Sequence, residues 1–325
     1  MGIPELPRGR SALFTGRLGF AVKVLGKGGL PSHDTRRWQS GPHLRVSLAY
    51  LDRVLDYLDE NDIRMYRMSS DIAPYLTHPE LLQFHHQLEE CAAGLAALGA
   101  KARRLDIRLS LHPSQFVVLN STDEEIAAKA ARDLEAQSSI LDAMGLDDEA
   151  VVVTHVGGLY GDREAAIKRF IARYSGLDKA AKRRVVLEND EPLFSVADIL
   201  RVHQATGVRL IFDYLHHMLN NPEGLALRPS LEACLHTWQD RGRPKIHFSS
   251  PRTEMREVAR KESGRKLTEL LPPDYAGHSD YINPFEFTLF IGETTGLEFD
   301  IMLEAKAKDL ALLRLREILS APPVI

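Results

Sequence analysis

Apolar runs rich in β-branched residues recur along the whole chain, and amphipathic segments of helical spacing separate them. The runs are RLGFAVKV from Arg17, IRMYRMS from Ile63, IRLSLH from Ile107, VVVTH from Val151, RVVLEND from Arg184, VRLIFD from Val208, PKIHFS from Pro244 and FDIMLEA from Phe299. Runs that are apolar on both faces suit buried parallel strands. Between the first two, Leu44, Leu48, Leu51, Leu55 and Leu58 recur at three and four residues and form one helical stripe. Leu81, Leu88, Cys91, Leu95 and Leu98 form a second stripe, and Ile126, Ala130, Leu134, Ile140, Leu141 and Met144 a third. Ser121 with Glu124 reads as a capping box at a helix start, and Ser195 with Asp198 as a looser version. Eight strand signals alternating with helices predict one α/β domain, a (β/α)8 TIM barrel over residues 17–320, between a flexible lead 1–16 and a tail 321–325. A doubly wound sheet would carry a glycine fingerprint after its first strand. Neither GKGGL at Gly26 nor VGGLYG around Gly157 supplies it, so no nucleotide cofactor is expected.

Composition narrows the class without adding to the fold. The 325 residues are 44% hydrophobic and 26% charged, which excludes disordered and collagen-like chains and leaves a soluble globular protein. With two cysteines, Cys91 and Cys234, each on an apolar helical face, a disulfide framework is excluded and a reducing cytoplasm is expected. No apolar stretch approaches the roughly 20 residues that cross a bilayer, and the start MGIPELPRGR lacks a signal-peptide core. A net charge of -4 argues against indiscriminate coating of nucleic acid but leaves room for a local positive groove.

In a barrel of this type, reactive side chains sit at the C-terminal ends of the strands. By that positional test, strand three ends on His112, strand four on His155, strand five on Glu188 and strand six on Asp213 with His216 following. Strand seven ends on Lys245 and His247, and strand eight on Glu304. A lone histidine is ordinarily a satisfied polar residue, but three carboxylates and several imidazoles converging on one buried mouth are costly without cations. Mixed imidazole and carboxylate ligands suit zinc, manganese or iron. Their number exceeds what one ion takes, which predicts a cluster of two or three ions at the mouth, with Glu188 central enough to bridge. Such a cluster suits in-line phosphoryl displacement. His278 lies just before the last strand and could join. His78, Asn189 and Asp190 are candidates for support around the ligands, whereas His85, His86, His203 and His236 read as structural and His217 as pointing away.

With these motifs in order along the chain, it resembles the UV damage endonucleases of the UvsE type, related in architecture to endonuclease IV. The matching segments are RLGF at Arg17, YRMSSDIAPY at Tyr66, SLHPSQF at Ser110, THVGGLYGD at Thr154, VLENDE at Val186, FDYLHH at Phe212, PKIHFSSPR at Pro244, HSDY at His278 and MLEAKAKD at Met302. The resemblance implies a metal-dependent nick immediately 5′ of a cyclobutane pyrimidine dimer or 6-4 photoproduct, with abasic sites also accepted, leaving a 3′-hydroxyl and a 5′-phosphate. It implies His112, His155 and Glu188 around one ion, Glu188, Asp213, His247 and Glu304 around a second, and His216 with His278 around a third. Glu188, Lys245, His247 and Glu304 are the expected catalytic set, with Lys245 at a position that can carry a carboxylated lysine. Manganese is the favoured metal, with zinc, magnesium or cobalt as alternatives. Gln115 and Phe116 match a pair that similar enzymes push into the duplex at the lesion, where stacking is already weak. Phe116 stands where some relatives carry Tyr. Phe20 does too, and the AVKVLGK that follows it lacks their Asn.

The expected partner is UV-damaged double-stranded DNA, met at the nucleoid, with the protein a monomer and no membrane involved. Lys23, Lys27, Arg36 and Arg37 in the loop after the first strand are the favoured phosphate contacts, and Phe20 and Arg252 further candidates. The segment from Arg252 to Glu269 has a small surplus of basic residues and otherwise reads as a solvated helix. Two rival readings stand beside this one. A TIM-barrel sugar isomerase or epimerase predicts a small closed pocket, and a non-catalytic DNA-binding module leaves the three carboxylates at the mouth unexplained.

Overall fold

The computed structural model describes residues 14–239, 241–262 and 265–320; the expected lead up to residue 13 and the tail 321–325 lie outside the described residues. Each of the eight apolar runs is a strand: β1 (Leu18–Ala21), β2 (Met65–Arg67), β3 (Arg108–Ser110), β4 (Val152–His155), β5 (Val185–Glu188), β6 (Arg209–Ile211), β7 (Lys245–Phe248) and, after four further short strands, β12 (Asp300–Leu303). Parallel ladders join β3, β2, β1, β12 and β7 in one sheet and β4, β5 and β6 in another. Two single parallel bridges, Leu111 with Val152 and Asp213 with His247, connect the sheets and close the ring. At the first, Leu111 N donates to Val151 O and Val153 N donates to Leu111 O, both at 2.9 Å.

Period-two alternation sorts the strand residues. Phe20, Tyr66, Leu109, Val152, Leu187, Leu210, Ile246 and Ile301 belong to the main apolar core outside the ring. Their neighbours fill the lumen in layers, as a closed eight-strand barrel requires. At the N-terminal end, buried Asp300 accepts from Arg108 Nη1 at 2.9 Å and from Arg17 Nη1 at 3.1 Å. The Arg108 and Arg209 guanidiniums lie 5.4 and 4.7 Å from the Trp238 ring centroid. Val151, Val153, Val186, Ile211 and Trp238 form a separate apolar plug. The C-terminal ends carry the histidines and carboxylates.

The helices are α1 (Leu44–Glu60), α2 (Gln87–Glu90), α3 (Ala92–Arg104), α4 (Glu124–Ala143), α5 (Arg163–Gly176), α6 (Lys179–Arg184), α7 (Val196–Thr206), α8 (Tyr214–Leu219), α9 (Leu227–His236), α10 (Pro284–Glu293) and α11 (Lys308–Ser320). The leucine stripe of α1 is buried throughout, and the Ser195–Asp198 capping box is present at α7. Both cysteines are free and buried.

Three expectations are corrected. The second stripe is not one helix, because it breaks at Cys91 between α2 and α3. Helix α4 is capped by Asp123, whose carboxylate accepts from Glu125 N and Ile126 N, while Ser121 Oγ accepts from Asp123 N. From that start the buried stripe runs through Ala127, Ala130 and Leu134, and Ile126, one residue earlier and about 100° around the axis, is exposed. Arg252–Glu269 is not a helix: β9 (Arg256–Glu262) pairs antiparallel with β10 (Arg265–Leu271), at the end of a stalk formed by β8 (Pro251–Arg252) and β11 (Asp274–His278). Charges of both signs alternate irregularly along that segment of sequence, so composition gave no period to distinguish a strand from a helix.

The loop after β1 is fastened from the far end of the chain. Asp309, fully buried in α11, accepts from Leu25 N at 2.7 Å, Gly26 N at 2.9 Å and Tyr57 Oη at 2.6 Å. Burial and the neighbouring Asp309 carboxylate raise the Tyr57 phenol, which keeps its proton as the donor. Asp309→Ala leaves three donors without their acceptor and is expected to destabilise the fold by about 3 kcal/mol. Denaturant unfolding reads the change; an unaltered midpoint would show that this fastening contributes nothing.

Candidate metal centre

The centre is built from strand ends, so its side chains point into the lumen because the strand period places them there. Glu188, the last residue of β5, is 1% exposed and stands at the middle. One carboxylate oxygen lies 3.2 Å from His112 Nε2 and 3.7 Å from His155 Nε2; the other lies 2.8 Å from His247 Nδ1 and 3.7 Å from His216 Nδ1. Burial by itself would raise the Glu188 carboxyl, but the imidazoles of His247, His155 and His112 hold it well below the usual carboxylate range.

Two groups of ligand atoms lie close enough to hold an ion: His112, His155 and Glu188, and Glu188, Asp213 and His247. Glu304 borders the second, with His247 Nδ1 at 3.3 Å and His278 Nδ1 at 3.8 Å. The donor set fits a divalent cation by a further sign. Among the described residues, His155 Nδ1, Asp213 Oδ2 and His247 Nε2 are buried atoms with no hydrogen-bond partner, an expensive condition for polar groups otherwise.

Protons mark where positive charge is wanted. Burial, with the carboxylates of Glu188 and Glu304, pushes Asp213 up to about 7 against the pull of His216. Burial works against protonating His216, but Asp213, Glu188, Glu191 and Glu304 outweigh it and raise the ring to about 10. His155, by contrast, is pushed down to about 4 by burial and stays neutral, as a ligand must. Burial would also raise Glu304, yet Arg67 and His247 hold it well below the ordinary carboxylate range.

Supporting groups hold these side chains. Asn189 donates from Nδ2 to Asp213 O and accepts Asp213 N at Oδ1, tying β5 to β6. Asp190 accepts from Leu193 N and Phe194 N and so shapes the loop; burial pushes its carboxyl up to about 6. Lys245, fully buried, donates to Ser110 Oγ at 3.2 Å. Burial, together with the charges of Arg108 and Arg67, drives its amine well below the ordinary lysine range.

Other expected residues lie elsewhere. Phe20 is fully buried and packs edge-on to Tyr66 at 5.4 Å, so it faces the helices, where it cannot reach a lesion. Arg252 is buried and donates to His278 O at 3.0 Å, which makes it a support for the His278 loop. His78 Nδ1 accepts Glu80 N, and the ring borders a separate cavity of about 450 Å³ lined also by Asp34, Asp71, Asp133 and Gln137. His217 is buried against Phe212. In the first loop, Arg36 is engaged by Asp34 and Lys27 by Glu60, while Lys23 and Arg37 are exposed. Gln115 and Phe116 are exposed just beyond His112, Phe116 at 78%. Gly157, at φ 111°, has no room for a side chain, since a Cβ would lie 2.4 Å from Asn120 Oδ1. Asn120 takes Gly158 N, so the tight turn explains these glycines.

Sequence reasoning missed Arg67 and Glu191. Arg67 Nη1 is paired with Glu304. It ends β2 and would have met the same positional test had that test admitted cations. Glu191 Oε2 lies 3.3 Å from His216 Nε2 from a loop position that no periodicity marks.

Fold and centre together define a TIM-barrel protein with a buried histidine and carboxylate cluster at its C-terminal mouth. A family model described as UV-endonuclease UvdE matches residues 45–322, and the chain belongs to that family. It is 34% identical over 282 residues to the UV DNA damage endonuclease of Bacillus cereus (strain G9842), covering 86% of this chain and 82% of that protein. The UV DNA damage endonuclease of Bacillus velezensis (strain DSM 23117 / BGSC 10A6 / LMG 26770 / FZB42) is 34% identical over 286 residues, covering 85% and 81%. The crystal structure of SacUVDE superposes with a TM-score of 0.79 at 29% identity, over 94% of this chain and 98% of that one. A 3-keto-D-glucoside 4-epimerase from E. coli shares the fold at a TM-score of 0.54 and 12% identity, over 93% of this chain and all of that one. That likeness concerns the barrel alone.

Cation binding should displace the proton that Asp213 retains, so Mn²⁺ affinity at the group of Glu188, Asp213 and His247 is expected to fall as pH drops below about 7. At 100 times its dissociation constant, Mn²⁺ should add about 2.7 kcal/mol of stability to the wild type, and much less to Glu188→Gln. Thermal unfolding with and without Mn²⁺ checks both statements; equal shifts in the two proteins would remove Glu188 from the centre.

Proposed function

We propose that this protein nicks UV-damaged double-stranded DNA immediately 5′ of the lesion by metal-dependent hydrolysis, leaving a 3′-hydroxyl and a 5′-phosphate. Cyclobutane pyrimidine dimers and 6-4 photoproducts are the principal substrates in this reading, and abasic sites a further one. One observation carries it: buried Glu188 belongs to two ligand groups at once, and the histidine of one of them, His112, leads directly into the exposed Gln115–Phe116 pair. Membership of the UvdE family supports this substrate class, as do the names of the UV DNA damage endonucleases of two Bacillus species.

His112, His155 and Glu188 would hold one cation, and Glu188, Asp213, His247 and Glu304 a second, with His216 and His278 beside them. Bound divalent cations supply an acidified water and neutralise charge on a leaving oxygen. The chain's own groups prepare that chemistry. Glu188 stays ionised in the cluster, which suits a carboxylate that bridges. Arg67 orients Glu304 and adds a fixed positive charge beside the carboxylates of the centre, which would favour a bound phosphodiester. Burial lowers the Lys245 amine, which favours the uncharged form that lysine carboxylation requires.

Phe116 exposes a large ring to water, a condition that stacking in a DNA gap would relieve. A lesion that already disturbs stacking lowers the cost of that insertion. Lys23 and Arg37 are the loop cations best placed by exposure to meet backbone phosphate, since Lys27 and Arg36 have acidic neighbours.

An irradiated plasmid incubated with the protein and Mn²⁺ should be nicked, an unirradiated one spared, and chelator should stop the reaction. Absence of nicking with metal confirmed bound would reject the function. Gln115→Ala combined with Phe116→Ala should reduce the preference for irradiated over intact duplex by about tenfold, the scale of one lost stacking contact, while leaving metal content unchanged. An unaltered preference would exclude the insertion role.

A further inference from the structure

We propose that Lys308 is a phosphate-binding residue, the inner member of a corner of three cations, with Lys23 and Arg67, that takes a backbone phosphodiester of DNA beside Glu304; this rests on the DNA-directed function proposed above. Three neighbouring strands, β12, β1 and β2, each carry one cation at or just beyond the C-terminal end. Arg67 is the last residue of β2, Lys23 follows β1 by two residues, and Lys308 opens α11 five residues after β12. Hydrogen bonds draw these exits together. Val22 N donates to Arg67 O at 2.8 Å, Tyr66 Oη donates to Val22 O at 2.6 Å, and Leu25 N and Gly26 N donate to the carboxylate of Asp309, the residue after Lys308. The backbone is strained beside Lys23 and at Lys308 itself: Val22 has φ 67° and Lys308 φ 52°, in the left-handed region that a β-branched or long side chain rarely adopts. Strain of this kind persists only where the surrounding structure imposes it, and it gathers at ligand sites.

Lys308 is half-buried, yet among the described residues its ammonium makes no hydrogen bond or ion pair, and neither does that of exposed Lys23. The carboxylates near them are already engaged. Glu304 is paired with Arg67 and lies 3.3 Å from His247 Nδ1, while Asp309 accepts from Leu25 N, Gly26 N and Tyr57 Oη. Burial first, and then the charge of Arg67, lowers the Lys308 amine; Glu304 pulls the other way, and Lys23 adds to the push. Positive charge held in a partly dehydrated corner without its own counter-ion is unfavourable in the free protein and favours an arriving anion. A DNA phosphodiester brings one negative charge and acceptor oxygens, which suit an ammonium acting as a point charge. The loops that follow the last strands of a TIM barrel are a recurrent place for phosphate.

Fluorescence anisotropy of the full-length protein with irradiated and intact duplexes, over a series of salt concentrations and with chelator to prevent cleavage, tests the assignment. Lys308→Met should weaken binding to both duplexes alike, by about threefold to tenfold, and make the slope of log affinity against log salt shallower by about one. Lys308→Arg, which keeps the charge, should retain most of the wild-type affinity and slope. Thermal unfolding supplies a second readout: Lys308→Met and Lys308→Gln should melt no lower than the wild type, since each removes a cation that lacks a partner. A melting temperature lowered in both neutral variants would assign Lys308 to the fold instead. Wild-type affinity and slope in both would overturn its phosphate role while leaving the DNA reading in place. A wild-type protein that binds neither duplex would overturn the DNA reading itself, and the role of Lys308 with it.

Discussion

An ionised carboxylate buried inside a barrel is the constraint around which this protein is organised. Glu188 is almost inaccessible to water, and an isolated charge there would be lost to protonation. It is kept by imidazoles on four other strand ends or the turns just beyond them, His112, His155, His216 and His247, each within 3.7 Å. Removing any one partner leaves the others with less charge to balance. The cluster is therefore a mutual arrangement, and Asn189 and Arg67 serve it by fixing Asp213 and Glu304.

The same region is where the barrel wall is thinnest. Regular ladders stop at both seams between the two sheets, and a single bridge remains at each, one of them between Asp213 and His247. Both of those residues belong to one proposed ligand group, so a bound ion would fasten a seam that backbone hydrogen bonding leaves weak. At the opposite end of the lumen, Arg108, Arg17 and Asp300 with Trp238 form a fixed floor. Stability and chemistry are thus separated along the barrel axis, as expected where catalytic groups occupy the C-terminal ends of the strands.

Much of this was legible in the sequence because strand period and strand end are both local signals. The apolar runs located eight strands, and the residue type at each end located the cluster, since alternation puts the terminal inward residue at the mouth. What remained hidden depends on contacts between distant segments. Phe20 lies one residue out of phase with the lumen, a difference that resemblance to other chains obscured. Arg252 carries the charge of a phosphate contact but is turned inward by the stalk of β8 and β11. The segment of β9 and β10 mixes charged and apolar residues with no clear period of two or 3.6, and so left no pattern to read. Glu191 approaches His216 from a loop, and only the folded turn brings them together.

Bridging by Glu188 is the claim on which the functional reading stands, and anomalous X-ray scattering at the manganese edge from crystals soaked in Mn²⁺ tests it directly. Two anomalous peaks should flank Glu188, one against His112 and His155 and the other against Asp213 and His247. A single peak away from Glu188, or none at full soaking, would contradict it.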